Sequence, residues 1–157
     1  MSKFYLTTPL YYVNGVPHVG HTYTSVIADA IARYKRMCGL QVCSLTGTDE
    51  HGLKIERAAR EQGLSPQKFT NTYAATFRQA WKKLGLSFDE FIRTTEKRHG
   101  EAVAEIFERI KENNFIHLGE YSGNYCVNCE AYAPQGVTDC PDCGRPTESM
   151  TEESYFF

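Results

Sequence analysis

The sequence predicts an α/β chain: the first half of a doubly wound, Rossmann-like parallel sheet, followed by a small metal-knuckle subdomain. Three observations predict it. Short β-like runs alternate with amphipathic helical stripes over residues 1–114, the pattern of parallel strands joined by right-handed crossover helices. The first run turns into a long helix at Tyr11-Tyr-Val-Asn-Gly-Val-Pro-His-Val-Gly-His21, the strand-to-helix turn at which such sheets hold ligands. Beyond residue 114 the periodicity stops, and four of the six cysteines fall into two Cys-x-x-Cys pairs. The expected division is therefore 1–114 and 115–157.

Taken in order, residues 3–8 read as a strand stopped by Pro9, with 9–18 a loop turning at Asn14-Gly15. Apolar residues at 19, 23, 26, 27, 30, 31, 34 and 37 make a helical stripe, closed by Gly39. Residues 41–46 read as the second strand, running into Gly47-Thr-Asp-Glu-His-Gly52. A short helix follows to about residue 62 and Gly63 ends it. Ser65-Pro66 is an N-cap with a proline at the first helical position. The helix it opens carries Phe69, Tyr73, Phe77, Ala80, Trp81 and Leu84 as its core face. Residues 90–93 are the third strand, and 95–113 a helix bearing Val103, Ile106, Phe107 and Ile110. Residues 115–125 are β-like and lead into the cysteines.

Composition bounds the rest. At 157 residues, 41% hydrophobic and 23% charged, the chain is ordinary globular material of one domain and an appendage. A net charge of −2 supplies no bulk attraction to nucleic acid. No apolar run reaches the roughly 18 residues of a membrane span, and the N-terminus lacks a signal-peptide layout. The expected compartment is the cytoplasm, where cysteines are thiols or metal ligands rather than disulfides. Cys38 and Cys43 read as buried thiols without a role.

Cys126, Cys129, Cys140 and Cys143 have the spacing of a structural metal site. A two-residue gap lets both thiolates of a pair reach one ion at about 2.3 Å, and two such knuckles complete a tetrahedron. Gly144 suits the knuckle turn. Zinc is favoured, and iron fits the same four thiolates. With no ligand position open, the site is structural, and metal binding contributes on the order of 10 kcal/mol to folding in comparable sites.

His18 and His21 share the first turn of a helix whose free N–H groups and dipole favour a phosphate. On their own they read as surface or core histidines, or as two metal ligands. The strand order places them at one crevice with the polar loop 47–52, which favours a nucleotide. Asp49 reads either as a cap for a helix starting near His51 or as a site carboxylate.

Thr8-Pro-Leu-Tyr-Tyr-Val-Asn-Gly-Val-Pro-His-Val-Gly-His21 resembles the HIGH signature of class I aminoacyl-tRNA synthetases, in the form carried by the methionyl-tRNA synthetase family. Leu45-Thr-Gly-Thr-Asp-Glu-His-Gly52 is similar to that family's second-strand segment, and Phe91-Ile-Arg-Thr-Thr-Glu96 to its third. The paired Cys-x-x-Cys resembles the zinc knuckle of its connective-peptide insertion, and Tyr155-Phe-Phe157 the start of the return from it. The resemblance implies ATP-dependent activation of methionine to methionyl-adenylate and transfer to tRNA(Met), with Mg2+ accompanying ATP. It implies that His18 and His21 are catalytic donors to the triphosphate, with Asn14 and Gly20 also binding ATP. Pro9, Leu10, Tyr12 and Asp49 are then methionine-binding, Asp49 taking the ammonium. The family's second catalytic half, with its KMSKS loop, is not among these residues. The expectation is thus an incomplete, poorly active fragment whose partners are ATP, L-methionine, tRNA(Met) and the missing half of the catalytic domain. Two alternatives remain at this point: a class I ligase for leucine, isoleucine, valine or cysteine, and a non-catalytic zinc-ribbon module that binds nucleic acid.

Overall fold

A computed structural model describes residues 2–157. The elements run β1 (Lys3–Tyr12), α1 (Val19–Met37), β2 (Gln41–Asp49), α2 (Leu53–Glu61), α3 (Pro66–Lys83), β3 (Glu90–Arg93), α4 (Lys97–Glu112), β4 (His117–Cys126), β5 (Ala131–Tyr132) and β6 (Glu148–Phe156). The chain forms two compact units, one running to Gly100 and one of Glu101–Phe157. None of the described helices is long and apolar enough to cross a membrane.

The first unit is an α/β fold on a parallel sheet of order β1-β2-β3. Because that order runs in one direction, right-handed crossovers lay α1, α2 and α3 against the same face. There Tyr11, Val13, Ile55, Ala59, Phe69, Phe77 and Trp81 form the core. Tyr11 sits at its centre. Its ring stacks on Phe77 at 5.8 Å and its hydroxyl meets Ser25 Oγ of α1 at 2.8 Å.

Three expectations are corrected. Pro9 does not stop β1. The register passes from Thr7↔Leu45 to Leu10↔Gly47, so β1 spends one residue more than β2 at this point. A β-bulge thus accommodates a residue that has no N–H to give the ladder. Second, β2 continues beyond Thr46 to Asp49, paired with β1 to Asp49 and with β3 to Thr48. At Gly47 the neighbouring β3 comes so close that a Cβ would run into the Ile92 carbonyl.

The third concerns α1, whose apolar stripe faces outward. Val19 is 84% exposed, Tyr23 70% and Met37 86%, with Val26, Ile27, Ile31 and Tyr34 also exposed. The buried side is Ser25, Ala28, Asp29 and Ala32. Small side chains let the helix lie close on the sheet, and Asp29 accepts from the backbone and hydroxyl of Ser87, both at 2.6 Å. Likewise Leu84, the C-cap of α3, is exposed, and so are Cys38 and Cys43. Asp89 ties β2 to the start of β3 through Ser44 N (2.7 Å) and Arg36 Nη2 (2.8 Å).

The four described helices end alike. At α1, Leu40 N–H reaches back to the Lys35 carbonyl (3.2 Å) and Gly39 N–H to that of Arg36 (2.9 Å), a Schellman closure about a left-handed residue. At α4 the left-handed position is Asn114, at φ 59°.

In the second unit β4 pairs antiparallel with β6 along their length and with the short β5 at the cysteine end. Phe107 of α4 packs edge-on against Tyr155 at 4.9 Å. Val103 and Ile106 are exposed, so the apolar side of α4 is only partly used.

Candidate active site and metal centre

Two side-chain groups lie at the carboxyl ends of β1 and β2. The first is the histidine pair. His18 is the N-cap of α1, in extended backbone, and its Nδ1 accepts from Gly20 N–H at 3.1 Å. His21 Nδ1 accepts from His18 N–H at 3.2 Å. This is a reciprocal capping box built from two imidazoles instead of a hydroxyl and a carboxylate. The rings stack with centroids 3.7 Å apart, and His21 also lies against Tyr11 at 5.0 Å and Phe77 at 5.2 Å. A Cβ on Gly20 would stand 3.0 Å from the His18 ring, so the missing side chain makes room for that imidazole.

The bond pattern fixes the tautomers. With both Nδ1 atoms accepting, the hydrogens of the neutral rings sit on Nε2. The pair therefore offers two N–H donors at a helix start where the dipole already favours an anion. Burial, and secondarily the charge of His18, holds the His21 imidazole below its ordinary 6.5. In the window below 6.5 the unfolded chain takes up this proton first, so folding stability falls as pH falls. The expected result is a fraying start of α1 in acid. Amide exchange at His18 and Gly20, corrected for intrinsic rates and followed from about pH 8 to 5, should lose protection. Constant protection would contradict the histidine cap.

The second group lies on the opposite face of the sheet. The ladder sets Leu10 beside Gly47 and Tyr12 beside Asp49. Strand alternation then turns Leu10, Tyr12 and Asp49 to one side, and Tyr11 and Thr48 to the helix side. Leu10 and Tyr12 are partly exposed, Asp49 is half-buried, and Pro9 is exposed at the bulge. The cap reading of Asp49 does not hold. The N-cap of α2 is Gly52, at φ 105° and without a side-chain bond, while Asp49 is the last residue of β2. Asn14 is exposed in the loop between β1 and α1.

Two residues at this end were not singled out from sequence. Lys54, in the first turn of α2, carries its ammonium 5.6 Å from the Tyr12 ring centroid. Glu50 is only 3% exposed. Burial pushes its carboxyl up, yet hydrogen bonds from Arg93, Thr95 and Thr48 and the Arg93 charge hold it below the usual carboxylate range. Adjacent acids at the end of a strand must face opposite ways, and that was the available signal.

The four expected cysteines come together. Their sulfurs all lie within 4.8 Å of one another, and Cys126 and Cys143 are 3.6 Å apart. A disulfide needs about 2.05 Å. A tetrahedron of thiolates about 2.3 Å from one ion has edges of about 3.8 Å. The donor set and its spacing fit a metal. Cys129 N–H donates to Cys126 Sγ at 3.4 Å. The residue after each pair, Glu130 at φ 54° and Gly144 at φ 67°, is left-handed. The backbone N–H of Arg145 pulls the Cys143 thiol down to about 7, while hydrogen bonding to Cys143 pushes Cys129 up to about 12.

This parallel sheet, with a histidine-capped helix at its first strand end and an acidic loop at its second, defines a class I tRNA synthetase fold. A family model described as tRNA synthetases class I (M) matches residues 4–154, and the chain belongs to that family. Its relatives are of the methionine branch. The Methionine–tRNA ligase of Clostridium tetani is 48% identical over 98% of this chain and 24% of its own length, and that of Thermotoga maritima 46% identical over 99% and 26%. The structure of Mycobacterium tuberculosis methionyl-tRNA synthetase in complex with methionyl-adenylate superposes with a TM-score of 0.92 at 38% identity, covering 100% of this chain and 32% of that one. The chain spans about a quarter of the length of the curated relatives it matches.

Proposed function

We propose that the chain is the N-terminal part of a methionine–tRNA ligase catalytic domain, activating methionine with ATP to methionyl-adenylate for transfer to tRNA(Met). The observation that carries this reading is the pairing of two unlike groups at one sheet end. A two-donor helix start stands on one side of β1. An apolar and acidic cluster, Leu10, Tyr12 and Asp49, stands on the other.

In the adenylation step the methionine carboxylate attacks the α-phosphorus of ATP in line, and pyrophosphate leaves with the electrons of the broken P–O bond. No protein nucleophile is required, so positioning and electrostatics carry the rate. His18 and His21 present Nε2–H donors to the triphosphate, where charge grows in the transition state. Asn14 adds a phosphate contact and Gly20 lets the adenine approach the backbone. Asp49 accepts the methionine ammonium in a charge-assisted bond, and Pro9, Leu10 and Tyr12 line the thioether side. Mg2+ binds with ATP and neutralises phosphate charge.

Residues 1–114 are then the first half of the doubly wound fold, and 115–157 belong to the connective-peptide insertion. Cys126, Cys129, Cys140 and Cys143 hold a structural Zn2+ that stabilises the knuckle and takes no part in the reaction. The outward apolar face of α1 is a surface for the second half of the catalytic domain, since contiguous exposed apolar area on this scale marks an interface. The work is done in the cytoplasm, where tRNA is charged. Acidic residues Glu130, Asp139 and Asp142 around the knuckle, against Arg145, disfavour the nucleic-acid-module alternative.

The test is amino-acid-dependent ATP–pyrophosphate exchange, using this chain joined to the remaining length of the Clostridium tetani relative. Exchange is expected with methionine and not with leucine, isoleucine, valine or cysteine. Exchange driven best by another amino acid overturns the assignment.

A further inference from the structure

We propose that the buried Glu50–Arg93 ion pair is a positioning device for Asp49, and through it for the substrate ammonium; this rests on the reading of Asp49 above. Glu50 takes four hydrogen bonds on its carboxylate. Arg93 Nε and Nη2 approach Oε1 and Oε2 at 2.7 and 2.8 Å, Thr48 Oγ1 donates to Oε1 at 2.7 Å, and Thr95 Oγ1 donates to Oε2 at 2.6 Å. Arg93 Nη2 also reaches Asn71 Oδ1 of α3 at 2.7 Å. One side chain thus joins β2, β3 and α3.

The backbone of the same segment is stitched to the end of β3. Thr94 N–H donates to the Thr48 carbonyl at 3.2 Å, Glu50 N–H to Thr94 Oγ1 at 2.9 Å, and His51 Nε2 lies 3.3 Å from the Thr94 carbonyl. Asp49 is the one residue of 48–51 outside this set of bonds to 93–95. It lies between two anchored neighbours, Thr48 and Glu50, on the opposite face of the pleat. With Glu50 held on the helix side by a bidentate fork, Asp49 can point only to the open face beside Tyr12.

Stability does not account for the arrangement. Replacing a buried ion pair by apolar side chains of similar volume is often neutral or stabilising, so a core that needed only cohesion would carry apolar residues. What the fork supplies and apolar packing does not is a fixed angle at the strand end.

The test uses the same joined enzyme, with the double variant Glu50→Leu/Arg93→Met. Thermal melting reads the fold, and pyrophosphate exchange reads the two substrates. The expected result is an unchanged or higher melting temperature. With it should come a loss of about 10²-fold in kcat/KM for methionine, the cost of a misplaced anchor, and a KM for ATP within about twofold of the parent. Parent-like methionine kinetics in the folded variant overturns the proposal, and so does an equal loss for both substrates. Should the double variant fail to fold, Arg93→Lys keeps the charge and removes the fork. It should raise the KM for methionine alone, and parent-like kinetics there overturns the proposal equally. A parent with no methionine-dependent exchange overturns the assignment of Asp49 itself, a failure read before any variant is made.

Discussion

Replacing His21 by alanine is expected to slow adenylate formation by about 10²- to 10³-fold, the loss typical of a preorganised donor to developing charge. His21 caps α1 and is proposed as a donor to the triphosphate, and the magnitudes separate the two roles. As part of the cap it accepts from His18 N–H at 3.2 Å, and losing a cap costs about 1 kcal/mol of helix stability. The proposed donor role to the triphosphate would contribute about 2.7–4 kcal/mol in the transition state. A cap defect lowers the melting temperature and leaves the bound reaction nearly unchanged. A lost donor lowers kcat while substrate binding holds. The measurement is single-turnover adenylate formation at saturating ATP and methionine, beside a melting curve. A kcat equal to the parent's removes His21 from the chemistry and leaves it a capping residue.

Stripping the four-cysteine site of its metal should unfold the knuckle outright. Apart from Tyr132 against Tyr121 and Tyr125, residues 126–147 are held mainly by hydrogen bonds, such as Thr147 N–H to the Thr138 carbonyl at 2.9 Å. β5 is two residues long, and the second pair is bound locally by Cys140 N–H to the Arg145 carbonyl and Gly144 N–H to the Cys140 carbonyl, each 2.8 Å. Metal affinity in such small sites is folding free energy, on the order of 10 kcal/mol at neutral pH. Chelation, or Cys140→Ser, is expected to collapse the amide spectrum of 126–147. Signals of Phe77 and Ile55, deep in the other unit, should persist. Metal analysis should return one ion per chain, and a colourless protein identifies zinc rather than iron. A knuckle that stays folded through complete chelation removes the structural role.

The strands and helices were legible because their signals are local. Ser65-Pro66 opened α3, and Gly39, Gly63 and Gly85 closed three helices at left-handed positions. The cysteines were legible for the same reason, since a two-residue gap is itself a ligand geometry. The buried face of α1 was not. Periodicity located the helix, but Ser25, Ala28, Asp29 and Ala32 face the sheet. Val19, Tyr23 and Met37 point outward, away from that core. Tyr11 and Tyr12 carried identical letters and took opposite sides. Glu50 and Arg93 stand 43 positions apart, and no window of sequence joins them. Asp49 was legible only as one of two adjacent acids. Glu50 is the one that turns inward, where Arg93 meets it.

The bulge at Pro9 acts as a phase shifter. Before it, Tyr5 and Thr7 share a face with Cys43 and Leu45. After it, the even-numbered Leu10 and Tyr12 share that face with Gly47 and Asp49. What position 9 contributes is therefore a count more than a chemistry. Were the same residues to pair one to one with β2 and leave no bulge, the parity of everything downstream would invert. The tyrosine that now anchors the core would face the substrate side, its neighbour would enter the core, and the histidine loop would leave the sheet from the wrong side. The two halves of the proposed site are kept in step by a spacer, much as a reading frame is kept by a single base.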